Sequence, residues 1–210
     1  MGSARLLAEL RRHGIADERV LEAVAAVPRD LFVPPELVEE AWDNVPLPIG
    51  EGQTISQPLV VARMCELLEL RGDERVLDVG TGSGYHAAVL AQLAAHVWSV
   101  ERHASLSEQA ARNLDAAGVE NVTLVVGDGA YGLPDEAPFD AINVAAAAES
   151  GVPKALEDQL APGGRLVAPV EDGDQHLVAV RRVPGGLQRM RLERVRFVPL
   201  MSPARGARSE

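Results

Sequence analysis

Val76-Leu77-Asp78-Val79-Gly80-Thr81-Gly82-Ser83-Gly84-Tyr85 is the stretch from which the rest of this chain is read. An apolar run reaches an acidic residue, passes three glycines at alternate positions and opens into residues of helical spacing. That order is strand, tight turn, helix. In an open α/β sheet, ligands bind in the crevice beyond the carboxyl ends of the strands. Glycine at such a place lets a ligand come close to the backbone. The dinucleotide fingerprint G-x-G-x-x-G sets a pyrophosphate on the helix N-terminus. Here the third glycine, Gly84, falls one place early and Tyr85 holds its usual position. S-adenosylmethionine has no pyrophosphate. Its ammonium, carboxylate, sulfonium and adenosine call for acids together with backbone donors, which Asp78 and Gly80, Gly82 and Gly84 would supply. Taken alone, the turn also admits another nucleotide or a purely structural role.

Working outward, strand-like runs at 75–79, 97–100, 122–126, 139–144 and 165–170 are separated by helical spacing at 85–95, 105–117 and 152–160. Strands joined by helix-length segments read as a parallel sheet with helices on both faces. Upstream, helical spacing covers 4–12 and 18–27, a short helix is expected at 36–43, and another begins at Leu59. Downstream, 177–183 and 187–199 are strand-like around Pro184-Gly185-Gly186, which reads as a hairpin. The expected fold is a Rossmann-like α/β sheet, mostly parallel with a C-terminal antiparallel hairpin, under a helical N-terminal lobe. The expected organisation is one domain over 1–210. Its parts are a lobe and substrate loop at 1–58, a core at 59–200 and a flexible polar tail at 201–210.

Two further strand ends carry acids. Glu101 closes the second core strand, where a carboxylate can accept from both ribose hydroxyls. Asp128 follows the third, in Gly127-Asp128-Gly129. There a carboxylate can accept from an adenine amine while the Gly129 N–H donates to a ring nitrogen. Asp78, Glu101 and Asp128 end three successive strands and face one crevice.

The segment Pro46-Leu47-Pro48-Ile49-Gly50-Glu51-Gly52-Gln53-Thr54-Ile55-Ser56-Gln57-Pro58 cannot be a regular helix. It is apolar for a loop, so it is expected to be ordered and packed. With it, the chain resembles the protein-L-isoaspartate O-methyltransferase family, in which this loop is the most specific stretch. Supporting matches are 79–85, Ser99-Val100-Glu101-Arg102, Gly127-Asp128-Gly129, Pro138-Phe139-Asp140-Ala141-Ile142, Gln159-Leu160 with Gly163-Gly164, and Val198-Pro199-Leu200. The resemblance runs from Val27 to about Leu200. It implies a class I methyltransferase sheet, S-adenosylmethionine as donor with S-adenosylhomocysteine as product, and the α-carboxylate of an L-isoaspartyl residue as acceptor. The methyl ester of that family collapses to a succinimide, and repeated cycles repair the chain. Carried over by position, Ser56 looks like the active-site serine. Thr54 and Ile55 belong to the same loop beside cofactor and substrate. Asp78, Gly80, Gly82, Gly84, Glu101, Asp128 and Gly129 look like cofactor contacts. Two departures stand out: the family commonly has threonine or glycine at Ala145 and often glutamine at His86.

Methyl transfer from a sulfonium is an in-line displacement. A carboxylate with a pKa near roughly 4 is already ionised at neutral pH and needs no general base. Positioning the two partners can supply on the order of 7–11 kcal/mol. Ser56 is therefore read as an orienting donor, since no G-x-S-x-G elbow surrounds it. The apolar 47–58 segment is read as a lid that strips water from the nucleophile.

The bulk properties exclude several classes. The 210 residues are 47% hydrophobic, enough for a sizeable core, and the formal net charge of -11 offers no basic face for nucleic acid. Cys65 is the only cysteine, so no intramolecular disulfide can form, and a reducing cytoplasmic home is expected. The start has no signal-peptide core and no apolar run reaches membrane-span length. The five histidines lack paired ligand spacing, so no metal is expected. The arginines at 181, 182, 189, 191, 194 and 196 read as a solvated strand face. The expected partner is a protein or peptide carrying an isoaspartyl or aspartyl residue, met by a monomer. The residues leave two alternatives open: a tailoring enzyme that esterifies an ordinary aspartate in a ribosomal peptide, and a cofactor-binding protein without catalysis.

Overall fold

A computed structural model describes residues 2–201, so the 202–210 part of the expected tail lies outside the described residues. In chain order the elements are α1 (Gly2–Arg12), α2 (Glu18–Ala26), 3-10 turns at Arg29–Phe32 and Pro35–Glu40, β1 (Leu47–Gly50), β2 (Gln53–Ile55) and α3 (Pro58–Leu68). The core follows as β3 (Arg75–Val79), α4 (Tyr85–Ala91), β4 (His96–Glu101), α5 (Ala104–Ala116), β5 (Val122–Val126), a 3-10 turn at Gly129–Tyr131 and β6 (Phe139–Val144). It ends with β7 (Ala148–Glu149), α6 (Lys154–Asp158), β8 (Leu160–Asp172), β9 (Asp174–Val183) and β10 (Gly186–Arg194).

The main sheet runs β10-β9-β8-β6-β3-β4-β5, with β7 alongside β8. From β8 to β5 every neighbouring pair is parallel, while β9 and β10 are antiparallel additions. The fold class read from the sequence is the one observed. Its antiparallel end is larger than expected, because β8 and β9 also form a hairpin through Gly173 at φ +78. The charged residues around that turn hide it: exposed strand ends keep their backbone pairing whatever side chains they carry. The second hairpin turns at Pro184-Gly185, with Gly186 opposite Val183 and Gly185 at φ +94. Proline followed by a positive-φ glycine is the residue pair of a type II turn.

Several boundaries differ from the sequence reading. α4 stops at Ala91 because the Gln92 and Leu93 N–H groups bond three residues back, to the carbonyls of Val89 and Leu90. The Ala95 and His96 N–H groups then bond to the Glu74 carbonyl, at the start of β4. The short helix expected at 36–43 is the 3-10 turn Pro35–Glu40. The strand-like run to 199 ends its regular pairing at Arg194. The 46–58 segment is ordered as expected and contains the two-stranded β1–β2 ribbon. Glu51 (φ +50) and Gly52 (φ +67) make its two-residue turn, the double positive φ that suits a tight hairpin.

Alternation along the strands divides the core. Val76, Val97 and Ala141 face one cluster with Leu6, Leu10, Val24, Met64 and Leu90, so the N-terminal helices share a core with the sheet. Leu77, Val79, Val100, Ile142 and Val144 face the other, with Leu156 and Leu160. Among the described residues no helix is long and apolar enough to cross a membrane.

Candidate active site

Parity along the strands places Asp78, Ser99 and Asn143 on the same face as Val76, Val97 and Ala141. Register makes them neighbours, because Asp78 sits opposite Ser99 on β4 and opposite Asn143 on β6. Asp78 is fully buried; its Oδ2 accepts from Ser99 Oγ at 2.7 Å and its Oδ1 from Asn143 Nδ2 at 2.7 Å. Thr81 Oγ1 lies 2.6 Å from Ser99 Oγ, tying this polar row to the glycine turn above it. Burial pushes the Asp78 carboxyl up to about 6, opposed by the two hydrogen bonds and reinforced by the Glu101 charge. His86 joins the row with Nδ1 3.2 Å from Asn143 Nδ2 and Nε2 3.6 Å from Cys65 Sγ. Burial takes its pKa down to about 3, so it is neutral and structural.

Above that row the turn is pinned by β4. The Gly80 N–H donates to the Val100 carbonyl at 2.9 Å. The Gly82 N–H donates to Glu101 Oε2 at 2.9 Å, and His103 N–H to Glu101 Oε1 at 3.0 Å. Each oxygen of Glu101 keeps further acceptor capacity. Gly80 at φ +96 and Gly82 at φ +54 adopt conformations that side chains resist. A Cβ on Gly129 would run into Val79 Cγ1, so only glycine lets the β5 end close on the turn.

These groups border two joined hollows. The outer is a narrow cleft of about 80 Å³. Thr54, Gly80, Gly82, Glu101, Gly129 and Ala145 line it, with the 198–201 segment closing one side. The inner one shares Thr54, Gly80, Gly82 and Ala145 and adds Ile55, Ser56, Thr81, Tyr85 and His86. Of the ten sequence-picked residues, seven therefore meet at one place: Thr54, Ile55, Ser56, Gly80, Gly82, Glu101 and Gly129. Asp78, Gly84 and Asp128 line neither hollow. Asp78 lies beneath the turn, while Gly84 at φ +89 packs its bare Cα against Ala110 and Leu114 of α5. Asp128 caps the Gly129–Tyr131 turn by accepting from the Ala130 N–H at 3.0 Å.

One residue at this site escaped the sequence reading. Arg29 is fully buried, and its guanidinium donates to the carbonyls of Ala41, Val45 (3.1 Å) and Ser56 (3.1 Å). It also lies 5.5 Å from the centroid of the Tyr85 ring. Burial lowers its pKa to about 10, with the Tyr85 and Asp43 groups opposing, so it stays charged at neutral pH. Among the described residues the Ser56 hydroxyl takes no intramolecular hydrogen bond. Ser56 also lines a second groove on its far side, with Pro46, Gln57, Val60 and 194–197.

A model of the protein-L-isoaspartate(D-aspartate) O-methyltransferase family matches residues 1–205. The chain belongs to that family. It is 54% identical over 198 residues to a protein-L-isoaspartate O-methyltransferase of Chromobacterium violaceum, covering 94% of this chain and 89% of that one. A namesake from Methanoculleus marisnigri is 53% identical over 194 residues, covering 92% and 88%. Among solved structures, a protein-L-isoaspartate O-methyltransferase superposes with TM-score 0.84 at 30% identity; 95% of this chain matches, spanning 66% of that longer chain. A Plasmodium falciparum protein in complex with S-adenosyl-L-homocysteine gives TM-score 0.81 at 29% identity, covering 94% and 97%. The resemblance seen in the 46–58 segment is thus membership.

Proposed function

We propose that this chain methylates the α-carboxylate of L-isoaspartyl residues in damaged proteins or peptides, using S-adenosylmethionine and leading to succinimide formation and repair. The observation that carries this reading is the position of Ser56. Ser56 lines both the glycine-lined hollow and the outer groove, and its hydroxyl has no intramolecular partner among the described residues.

The lining fits the donor. Gly80 and Gly82 offer backbone approach to its amino-acid end, Glu101 offers acceptor capacity to ribose hydroxyls, and Gly129 brings its main chain to the cleft wall beside them. Bound there, S-adenosylmethionine supplies an electrophilic methyl on sulfur. The chain's own residues then have to orient and desolvate. Ser56 donates to one oxygen of the acceptor carboxylate. Thr54 and Ile55 close the wall between acceptor and donor, with Ile55 buried. The acceptor is already an anion, so no base is required of the chain, which agrees with His86 being buried and neutral. Asp78 and Asp128 serve from behind. The first ties three strand tips together, and the second shapes the turn that presents Gly129. We further hold the chain to be one domain working as a cytoplasmic monomer; a single free, buried cysteine and a core shared between lobe and sheet support that.

The test is a paired assay of one peptide in isoaspartyl and aspartyl forms, with mass detection of ester and succinimide. Methylation of the isoaspartyl form alone is expected. Equal or preferential methylation of the aspartyl form would refute the repair reading.

A further inference from the structure

The groove outside Ser56 has a floor of Pro46, Gln57 and Val60 and a far wall of 194–197. It continues past Gln57 and Val60 toward His13, Arg63 and Glu193. Its charged lining is mainly arginine, on a chain whose formal net charge is -11. Most arginines nearby are spoken for. Arg63 bonds Glu193 and Glu66, and Arg194 bonds Asp174 at 2.7 Å. Arg196 differs: among the described residues its exposed guanidinium has neither a carboxylate nor a carbonyl partner. Its main chain is open as well. The Val195 N–H bonds the Gln175 carbonyl at 3.0 Å and the Phe197 N–H bonds Gln175 Oε1 at 2.6 Å, which ties both flanking residues to β9. The Arg196 N–H between them has no partner among the described residues.

We infer that Arg196 is a specificity-determining residue that favours substrates with an acidic side chain close to the residue being methylated. The inference rests on the methyltransferase reading above and adds to it a preference for one class of flanking sequence. The acceptor must bring its carboxylate to Ser56. The polypeptide on either side of it then runs along this groove. A guanidinium with no internal carboxylate gains an ion pair there without breaking one, whereas Arg194 would have to leave Asp174. An approaching lysine side chain meets like charge at the same place. Exposed ion pairs are weak, so the effect is a bias in kcat/KM and not a gate.

Three isoaspartyl hexapeptides that carry Glu, Gln or Lys two residues from the isoaspartyl position, on one side and then on the other, test this. For the full chain at low salt, kcat/KM is expected to fall in the order Glu, Gln, Lys, by about threefold per step on the side that meets Arg196. At about 0.5 M salt the order should flatten, because the screening length drops to a few ångströms. Arg196→Glu should reverse the order, lowering kcat/KM most for the Glu peptide and least for the Lys peptide relative to wild type, with S-adenosylhomocysteine affinity unchanged. Arg112→Glu on α5 makes the same change in net charge elsewhere and should keep the wild-type order. An Arg196→Glu enzyme with the wild-type order, or a wild type indifferent to the flanking charge, overturns the inference and leaves the methyltransferase reading standing. Failure of the wild type to methylate any of the three peptides would overturn that reading and this inference with it.

Discussion

The two walls of the cleft are held by different means. The strand-tip wall, Gly80 to Ser83 with Glu101 and Gly129, is fixed by sheet register. Asp78, Ser99 and Asn143 lie opposite one another on three parallel strands and bond in a row beneath it. The facing wall, Thr54 to Gln57, belongs to a short ribbon outside the main sheet. It is fastened by one buried guanidinium that collects carbonyls from Ala41, Val45 and Ser56. On the proposed function, the donor half of the site is thus built by the sheet, and the acceptor half by tertiary contacts: the Arg29 clamp, the Gln57 Nε2 bond to the Asn44 carbonyl at 2.9 Å and the buried Ile55. The two halves can therefore be damaged separately.

The largest expected effect comes from releasing the clamp. Arg29→Leu leaves three carbonyls, one buried and two part-buried, without their donor, each costing up to about 1–3 kcal/mol, offset in part by removal of a buried charge. Urea unfolding should show a net loss of about 3 kcal/mol. The isoaspartyl kcat/KM should fall about 100-fold, the scale of an ångström-level misplacement. Calorimetry with S-adenosylhomocysteine should change far less; an equal loss there would mean that the walls form one unit. Glu101→Ala attacks the other wall. It removes the acceptor of the Gly82 and His103 N–H groups and is expected to weaken S-adenosylhomocysteine binding by about 10–100-fold. Unchanged affinity would remove Glu101 from the ribose. Ser56→Ala should lower kcat/KM by about 10–100-fold, the worth of one hydrogen bond to a charged oxygen.

The smallest effect is a slope. Asp78 has a folded-state pKa raised from 3.8 to about 6, chiefly by burial. The fold therefore favours the protonated form. The contribution of this group to stability is full below its unfolded value and is lost as pH rises through about 6. Relative to wild type, Asp78→Asn should remove a decline of at most about 1.4 kcal/mol per pH unit across that window, read from urea midpoints. A difference that does not vary with pH would mean that Asp78 is charged at no cost.

These contrasts also explain what could be read from the chain beforehand. Strand, glycine turn and helix are local features, so Gly80, Gly82, Glu101 and Gly129 were legible, and all four line the cleft. Asp78 was legible as important but not in its position. In a strand buried on both faces, nothing in the residue pattern says which face a given side chain takes, and register with β4 and β6 decides it. Asp128 and Gly84 have the right types beside the site, yet one caps a turn and the other makes room for α5. Arg29 was not legible, because a charged residue before Asp30 reads as surface. The only hint was its apolar company, Val27, Leu31, Phe32 and Val33. Its three acceptors come from positions 12, 16 and 27 residues away, and no local pattern encodes them.

In the proposed function Ser56 acts on the acceptor and not on the donor. Titration of S-adenosylhomocysteine into Ser56→Ala tests this most directly. The dissociation constant should stay within about twofold of wild type, since one hydroxyl is removed from the dividing wall and the Glu101 and glycine contacts remain. Weakening by about tenfold or more would place Ser56 in the donor site and contradict the division drawn here.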